Sequence, residues 1–180
     1  MEVRVVKEMS LYKEVFKDVD GEVEQLGNDI SEEKLNSFSL KYETKVPQLE
    51  KMCYIMEKVL LQKKTEGVVY AGFQKVSRAE DIWDRFRQIA DNVDKVYIFG
   101  EHDKDLTPHP NVEFIYLPKN HSLTKEWFLV IDRPLAKSMM VAYDMDGFYT
   151  EDLKDRNFKG AKSTNPNTVK KAVDLLDQLI

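Results

Sequence analysis

Glu126-Trp127-Phe128-Leu129-Val130-Ile131-Asp132, followed after Arg133-Pro134 by the run from Leu135 to Tyr143, decides how this chain folds. The first run is apolar and rich in β-forming residues, and Met139-Met140-Val141-Ala142-Tyr143 forms a second. Two such runs around a short turn predict an antiparallel hairpin over 126–143, buried on at least one face. Pro134 suits the turn, because its ring fixes φ and it offers no N–H to a strand ladder.

Upstream of the hairpin, strands and helices alternate. Val112 to Leu117, Lys95 to Phe99 and Gly67 to Gln74 read as strands ended by Pro118, Gly100 and a polar stretch. Between the last two, Ser77 is placed to cap a helix whose inner face is Ile82, Trp83, Phe86, Ile89 and Ala90. Before them, Pro47 opens a longer helix with Leu49, Met52, Cys53, Met56, Val59 and Leu60 at three- and four-residue spacing. The N-terminal part reads as a short helix capped by Ser10, a short strand at Val23 to Leu26, and a helix opening at Ser31 with Leu35 and Phe38 inward. Downstream, Asp144 to Lys162 reads as irregular and charged, and Pro166 introduces a final helix. The fold expected is a single α/β domain over residues 1–180. It has a mixed sheet of five to six strands flanked by helices, with the antiparallel hairpin at one side and a C-terminal helix.

The bulk numbers limit the function classes. With 180 residues and 42% hydrophobic content, the chain buries a sizeable core without staples. A net charge of −5, with no block of positive residues, speaks against nucleic acid as a partner. Cys53 is the one cysteine, which rules out an intramolecular disulfide and reads as a small buried hydrophobe. No apolar run is long enough to span a membrane and the charged start lacks a signal-peptide core, so a soluble cytoplasmic protein with no membrane partner is expected.

Chemistry-bearing residues gather after the Lys95–Phe99 strand, where open α/β sheets favour ligands. Glu101, His102 and Asp103 arrive there, with Asp105 and His109 close in sequence. They allow a metal-assisted hydrolase as an alternative function, although their spacing matches no ligand pattern. His121 reads as a surface or ligand-rim residue beside the better cap, Ser122. Asp144-Met-Asp-Gly147 lacks the oxygen series of a calcium loop, and no phosphate-cradling glycine loop is present. Aromatics with polar tips, among them Tyr70, Tyr97 and Trp127, suit either core packing or a small-molecule pocket. A third reading is an interaction scaffold that forms a homodimer through the final helix.

Several segments together resemble the DICT family of sensory domains. In order they are Val46-Pro-Gln-Leu-Glu50, Val69-Tyr-Ala-Gly-Phe-Gln74 leading to Arg85-Phe-Arg87, Val96-Tyr-Ile-Phe-Gly100 with Asp103, and Leu123 to Asp132. Arg156-Asn-Phe-Lys-Gly160, Pro166 and the terminal helix extend the resemblance over about residues 10–180. Ala161-Lys162 stands where the family pattern has an aromatic. The resemblance implies a non-enzymatic sensory domain of diguanylate cyclases and two-component systems that relays a small-molecule or light-linked stimulus. With no output domain in the sequence, either it would act in trans on a histidine kinase, cyclase or transcription regulator, or the sequence is a fragment excised from a longer protein. Candidate ligand-binding residues, chosen because they fall at or near strand ends, are Tyr70, Phe73, Gly100, His102, Asp103, Glu126 and Trp127. The charged segment 144–162 is the expected bistable element. No cofactor is indicated.

Overall fold

The computed structural model of the chain describes residues 6–147, 152 and 155–180. Its strands are β1 (Val23–Gln25), β2 (Ser39–Lys45), β3 (Val68–Lys75), β4 (Lys95–Glu101), β5 (Val112–Tyr116), β6 (Glu126–Asp132), β7 (Lys137–Asp144) and β8 (Asn157–Ser163). Its helices are α1 (Leu11–Val15), α2 (Glu32–Leu35), α3 (Val46–Gln62), α4 (Trp83–Asn92) and α5 (Pro166–Asp177). The strands form one mixed sheet in the order β1-β2-β8-β7-β6-β3-β4-β5. The α/β class expected from the sequence is the class observed, but the described residues contribute eight strands rather than five or six.

The hairpin sits at the middle of this sheet. β6 and β7 pair antiparallel from Glu126–Tyr143 to Asp132–Lys137, and the turn carries Pro134. β6 then pairs antiparallel with β3, and β3, β4 and β5 run parallel to one another. The alternation of strands and helices between 47 and 117 thus yields parallel pairs, with α4 between β3 and β4.

Two strands escape the sequence reading. β2 alternates buried and outward residues, with Leu40, Tyr42 and Thr44 inside. β8 corrects the expectation that 144–162 is irregular throughout. It lies between β2 and β7, pairing antiparallel with both, so each side of its backbone finds a ladder partner. Its charged appearance is local: Lys162, 3% exposed, donates its amine to the Leu35 carbonyl at 3.1 Å. Residues 148–151 and 153–154 of that segment lie outside the described residues.

Each face of the sheet is covered by helices. On one face, Leu49, Met52, Cys53 and Met56 of α3 and Phe86 and Ile89 of α4 pack on Val69, Ala71, Phe73, Trp127, Leu129 and Ile131. On the other, Leu11 and Val15 of α1 and Val169, Ala172, Val173 and Leu176 of α5 pack on Phe99, Phe128, Val130 and Val141. The stripe on the final helix is therefore buried inside this second core. The sheet-facing side of α5 is set by its N-terminus, where Pro166 stands in the first turn and the Asn165 side chain accepts the Asn167 N–H at 2.9 Å. Phe38, expected inward, is 79% exposed because β2 begins immediately after it. Among the described residues, no helix is long and apolar enough to cross a membrane.

Candidate functional site

A cavity of about 540 Å³ opens on the α3–α4 face. Its floor is Ala71 and Phe73 of β3 with Trp127 and Leu129 of β6. The two strands meet there antiparallel, with Phe73 opposite Trp127. One wall is the start of α3, from Pro47 to Glu57; the other is the 3-10 helix Val76–Ile82 and the first turn of α4. The volume lies within the range of small-molecule sites.

The local chain path creates this opening. β3 changes register against β4 between Gly72 and Lys75, and Gln74 takes a φ of 68° there. A left-handed conformation is unusual for a residue with a side chain. Gln74 is 1% exposed, and its side chain is held at both ends. Arg78 donates from Nη1 to its amide oxygen, and its Nε2 donates to Asp144 Oδ2 at 3.0 Å. Arg156 Nη1 donates to the same oxygen at 2.7 Å. Asp144 Oδ1 accepts the backbone N–H groups of Asp146 and Gly147 at 3.1 and 2.8 Å. A polar chain thus runs from the cavity wall at Arg78 to the segment beyond β7.

The electrostatics of the cavity walls differ. On α3, Glu57 is buried and accepts from Arg85 Nε at 2.7 Å. Burial pushes the Glu57 carboxyl up to about 7, against the pull of the Arg85 guanidinium. Cys53, next to it, has a thiol pushed well up by burial, which makes it a packing residue rather than a thiolate. Across the opening, the Arg78 guanidinium lies 4.9 Å from the centre of the Trp127 ring. Burial and the neighbouring Arg156 pull it down to about 10.

The residues expected at a ligand end do not converge. Phe73 and Trp127 line the cavity. Tyr70, three positions before Phe73 on β3, points to the opposite face, donates its hydroxyl to Asp177 at 2.7 Å and stacks on Tyr97. Gly100 abuts the start of the 3-10 helix, where a side-chain carbon would come within 3.0 Å of the Val76 nitrogen. Asp103 accepts from the Ser77 N–H at 2.9 Å and from its hydroxyl at 2.5 Å, so Ser77 is tied to the β4 loop instead of capping a helix. His102 is turned to solvent, pairing with Asp105 at 2.6 Å and stacking on Tyr116. His109 pairs with Asp91 at 2.7 Å. The loop set offered for a metal thus disperses, and among the described residues no group of three or more His, Cys, Asp or Glu is placed to hold an ion. His121 is buried, not a rim residue: Nε2 meets the Lys7 carbonyl at 2.7 Å and Nδ1 accepts the Leu123 N–H, so the ring, not Ser122, caps the short 3-10 helix Ser122–Lys125.

Glu126 lies on the opposite face from the cavity and fastens α1 to the sheet. Its carboxylate accepts the Ser10 hydroxyl and the Tyr12 N–H, each at 2.7 Å, while Ser10 Oγ accepts the Lys13 N–H as helix cap. Burial outweighs these hydrogen bonds and raises the carboxyl from its ordinary 4.5 to about 7. Between those values the folded protein holds a proton that the unfolded chain has released, so this contribution to stability falls as pH rises. Relative to a Glu126→Gln variant, the natural protein should lose up to ~1.4 kcal/mol per pH unit across that window. Urea unfolding of both proteins from pH 5 to 8 measures it, and a pH-independent difference would remove Glu126 as the cause.

The cavity residues that sequence reasoning missed are Arg78, Glu57 and Arg85. Charged residues on predicted helices read as solvated surface, and only the bulge at Gln74 brings Arg78 over Trp127. The pattern-bearing signal was Arg85-Phe86-Arg87, of which Arg85 and Phe86 line the cavity.

Comparison with known families gives one match. A family model described as a sensory domain in diguanylate cyclases and two-component systems, DICT, matches residues 23–145. That span runs from β1 through β7 and contains both walls and the floor of the cavity; α1, β8 and α5 lie outside it. No curated protein matches the chain. With about two thirds of its length under that match, the chain belongs to the DICT family of sensory domains.

Proposed function

We propose that this domain senses a small molecule held in the α3–α4 cavity and relays its occupancy to a separate signalling protein in the cytoplasm, a histidine kinase, cyclase or transcription regulator. The observation that carries the reading is the polar chain Arg78–Gln74–Asp144–Arg156, which begins at the cavity wall and ends beside the segment following β7. A ligand shifts a conformational equilibrium only through unequal affinity for its two states. A ligand that draws on Arg78 changes the hold on Gln74, whose left-handed backbone depends on its side-chain bonds. Asp144 and the turn it supports then respond. In this reading Phe73 and Trp127 are ligand contacts. Tyr70 and Glu126 hold the opposite helical layer, and Gly100 and Asp103 hold the 3-10 helix against β4. His102 contributes nothing to the cavity.

A thermal-shift screen of metabolites on the natural protein and an Ala71→Leu variant tests the proposal. Ala71 is 1% exposed in the cavity floor, and the larger side chain occupies the ligand's space. A ligand at a hundred times its Kd adds ~2.7 kcal/mol, a rise of several degrees in Tm for a domain of this size. The shift should occur in the natural protein and vanish in the variant. An equal shift in both would place the ligand elsewhere.

A further inference from the structure

Glu50, Glu57 and Asp81 line the cavity against Lys51, Arg78 and Arg85, so the two signs are equal in number, but the buried charges are not paired one to one, and the exception points to the ligand's chemistry. Three guanidinium groups lie in or behind its walls. Arg85 has Glu57 as its carboxylate, and Arg156 has Asp144. Arg78 has neither. Its hydrogen-bonded partner is the neutral amide of Gln74, and its buried Nε has no partner among the described residues. Asp144 acts on it only through space and through the Gln74 amide, because Oδ2 already takes Gln74 and Arg156 and Oδ1 takes two backbone N–H groups. A largely enclosed guanidinium normally has a counter-charge, because an uncompensated charge away from water is costly. Glu50 and Asp81 also line the opening, but both side chains are exposed, where water and salt weaken their pull.

Below Arg78 the surface is apolar and aromatic. Phe73 and Phe86 meet edge to face at 5.4 Å, and Ala71 and Leu129 complete the floor beside Trp127. We infer that the cavity takes a small organic anion with a flat apolar body, its carboxylate or similar oxyanion seated beside Arg78 and its body on Phe73, Phe86 and Leu129. This rests on the reading of the cavity as the sensory site and adds the sign of the ligand's charge. The anion supplies Arg78 with the missing counter-charge, and Arg is the residue best shaped to receive a planar oxyanion. It also loosens the claim of Arg78 on Gln74, which gives the ligand a means of acting on the polar chain.

The test uses three probes with the same body: 3-phenylpropanoate, 3-phenylpropanamide and 3-phenylpropylamine. Each is titrated into the full chain while the indole N–H resonances of Trp127 and Trp83 are followed. Trp83 donates its indole N–H to the Thr107 carbonyl at 2.7 Å and lines no part of the cavity, so it serves as internal control. The expected result is that the carboxylate moves Trp127 but not Trp83 and binds at least about tenfold more tightly than the amide or amine, as befits a hydrogen bond to a charged group. Arg78→Gln should bring the carboxylate down to the affinity of the amide, and Arg78→Lys should keep part of the preference. If the Gln variant does not fold, the ranking of the three probes on the natural protein decides alone. An amide or amine that moves Trp127 with equal affinity overturns the anionic ligand while leaving the cavity as the site. Trp127 unmoved by all three overturns both.

Discussion

Replacement of Gly160 by alanine is expected to cost about 4 kcal/mol or more, a large share of the stability of a domain. Gly160 lies at the centre of β8, opposite Tyr42 on β2 and Ala142 on β7. Tyr42 is fully buried and passes over this position to reach the Val141 carbonyl at 3.3 Å. A side-chain carbon on residue 160 would stand 2.0 Å from the Val141 oxygen, 2.8 Å from the Ala142 Cα and 2.9 Å from the Tyr42 hydroxyl. The first two are backbone atoms of a central strand, so relief requires moving β7 itself. Overpacking that a side chain absorbs costs ~1–3 kcal/mol, and here no side chain is free to absorb it. Chemical denaturation of Gly160→Ala measures the loss, and a variant within ~1 kcal/mol of the natural protein would mean that β8 is not held between β2 and β7 as described.

Removal of the Asp144 carboxylate should be nearly as damaging. Asp144 and Arg156 pair with both side chains only 1% exposed. Asp144→Ala leaves Arg156 charged and enclosed, frees the Gln74 amide and strips the Asp146 and Gly147 N–H groups of their acceptor. Breaking one side of a buried pair costs ~3–5 kcal/mol, which lowers Tm by roughly 10 °C in a domain of this length. Replacing both partners with apolar residues, Asp144→Leu with Arg156→Met, should recover much of the stability, because the desolvation cost disappears with the charges. It should not recover signalling, since the polar chain from the cavity is gone. A calorimetric melt of the single and double variants separates the two effects, and additive losses would show that the residues do not act as a pair.

The parts of the fold that were legible in the sequence are those whose own residues carry the burial. β6 and β7 are apolar on both faces because both cores press on them, and α3, α4 and α5 each show a one-sided stripe. β2 and β8 were not legible because their neighbours supply the apolar surface. The amines of Lys41 and Lys159 on those strands lie 4.6 and 5.6 Å from the centre of the Phe16 ring, so on that face the strands present charged side chains gathered over an aromatic supplied from elsewhere in the chain. Such strands read as charged coil until the ladder on each side is seen. Of the residues chosen because they fall at or near strand ends, Phe73 and Trp127 line the cavity, while period-two alternation puts Tyr70 and Glu126 behind the sheet. The first now holds α5 and the second α1. Arg78 could not be found from spacing alone. Its place depends on a bulge and one residue with positive φ, features that a chain of side-chain letters does not encode.

The most direct test of the central claim is a crystal structure of the protein grown with the strongest binder from the thermal-shift screen. The account predicts ligand density between α3 and α4, against Phe73 and Trp127, with Arg78 turned toward it. Density instead on the α1–α5 side of the sheet, beside Tyr70 or Glu126, would contradict the assignment of the cavity as the sensory site.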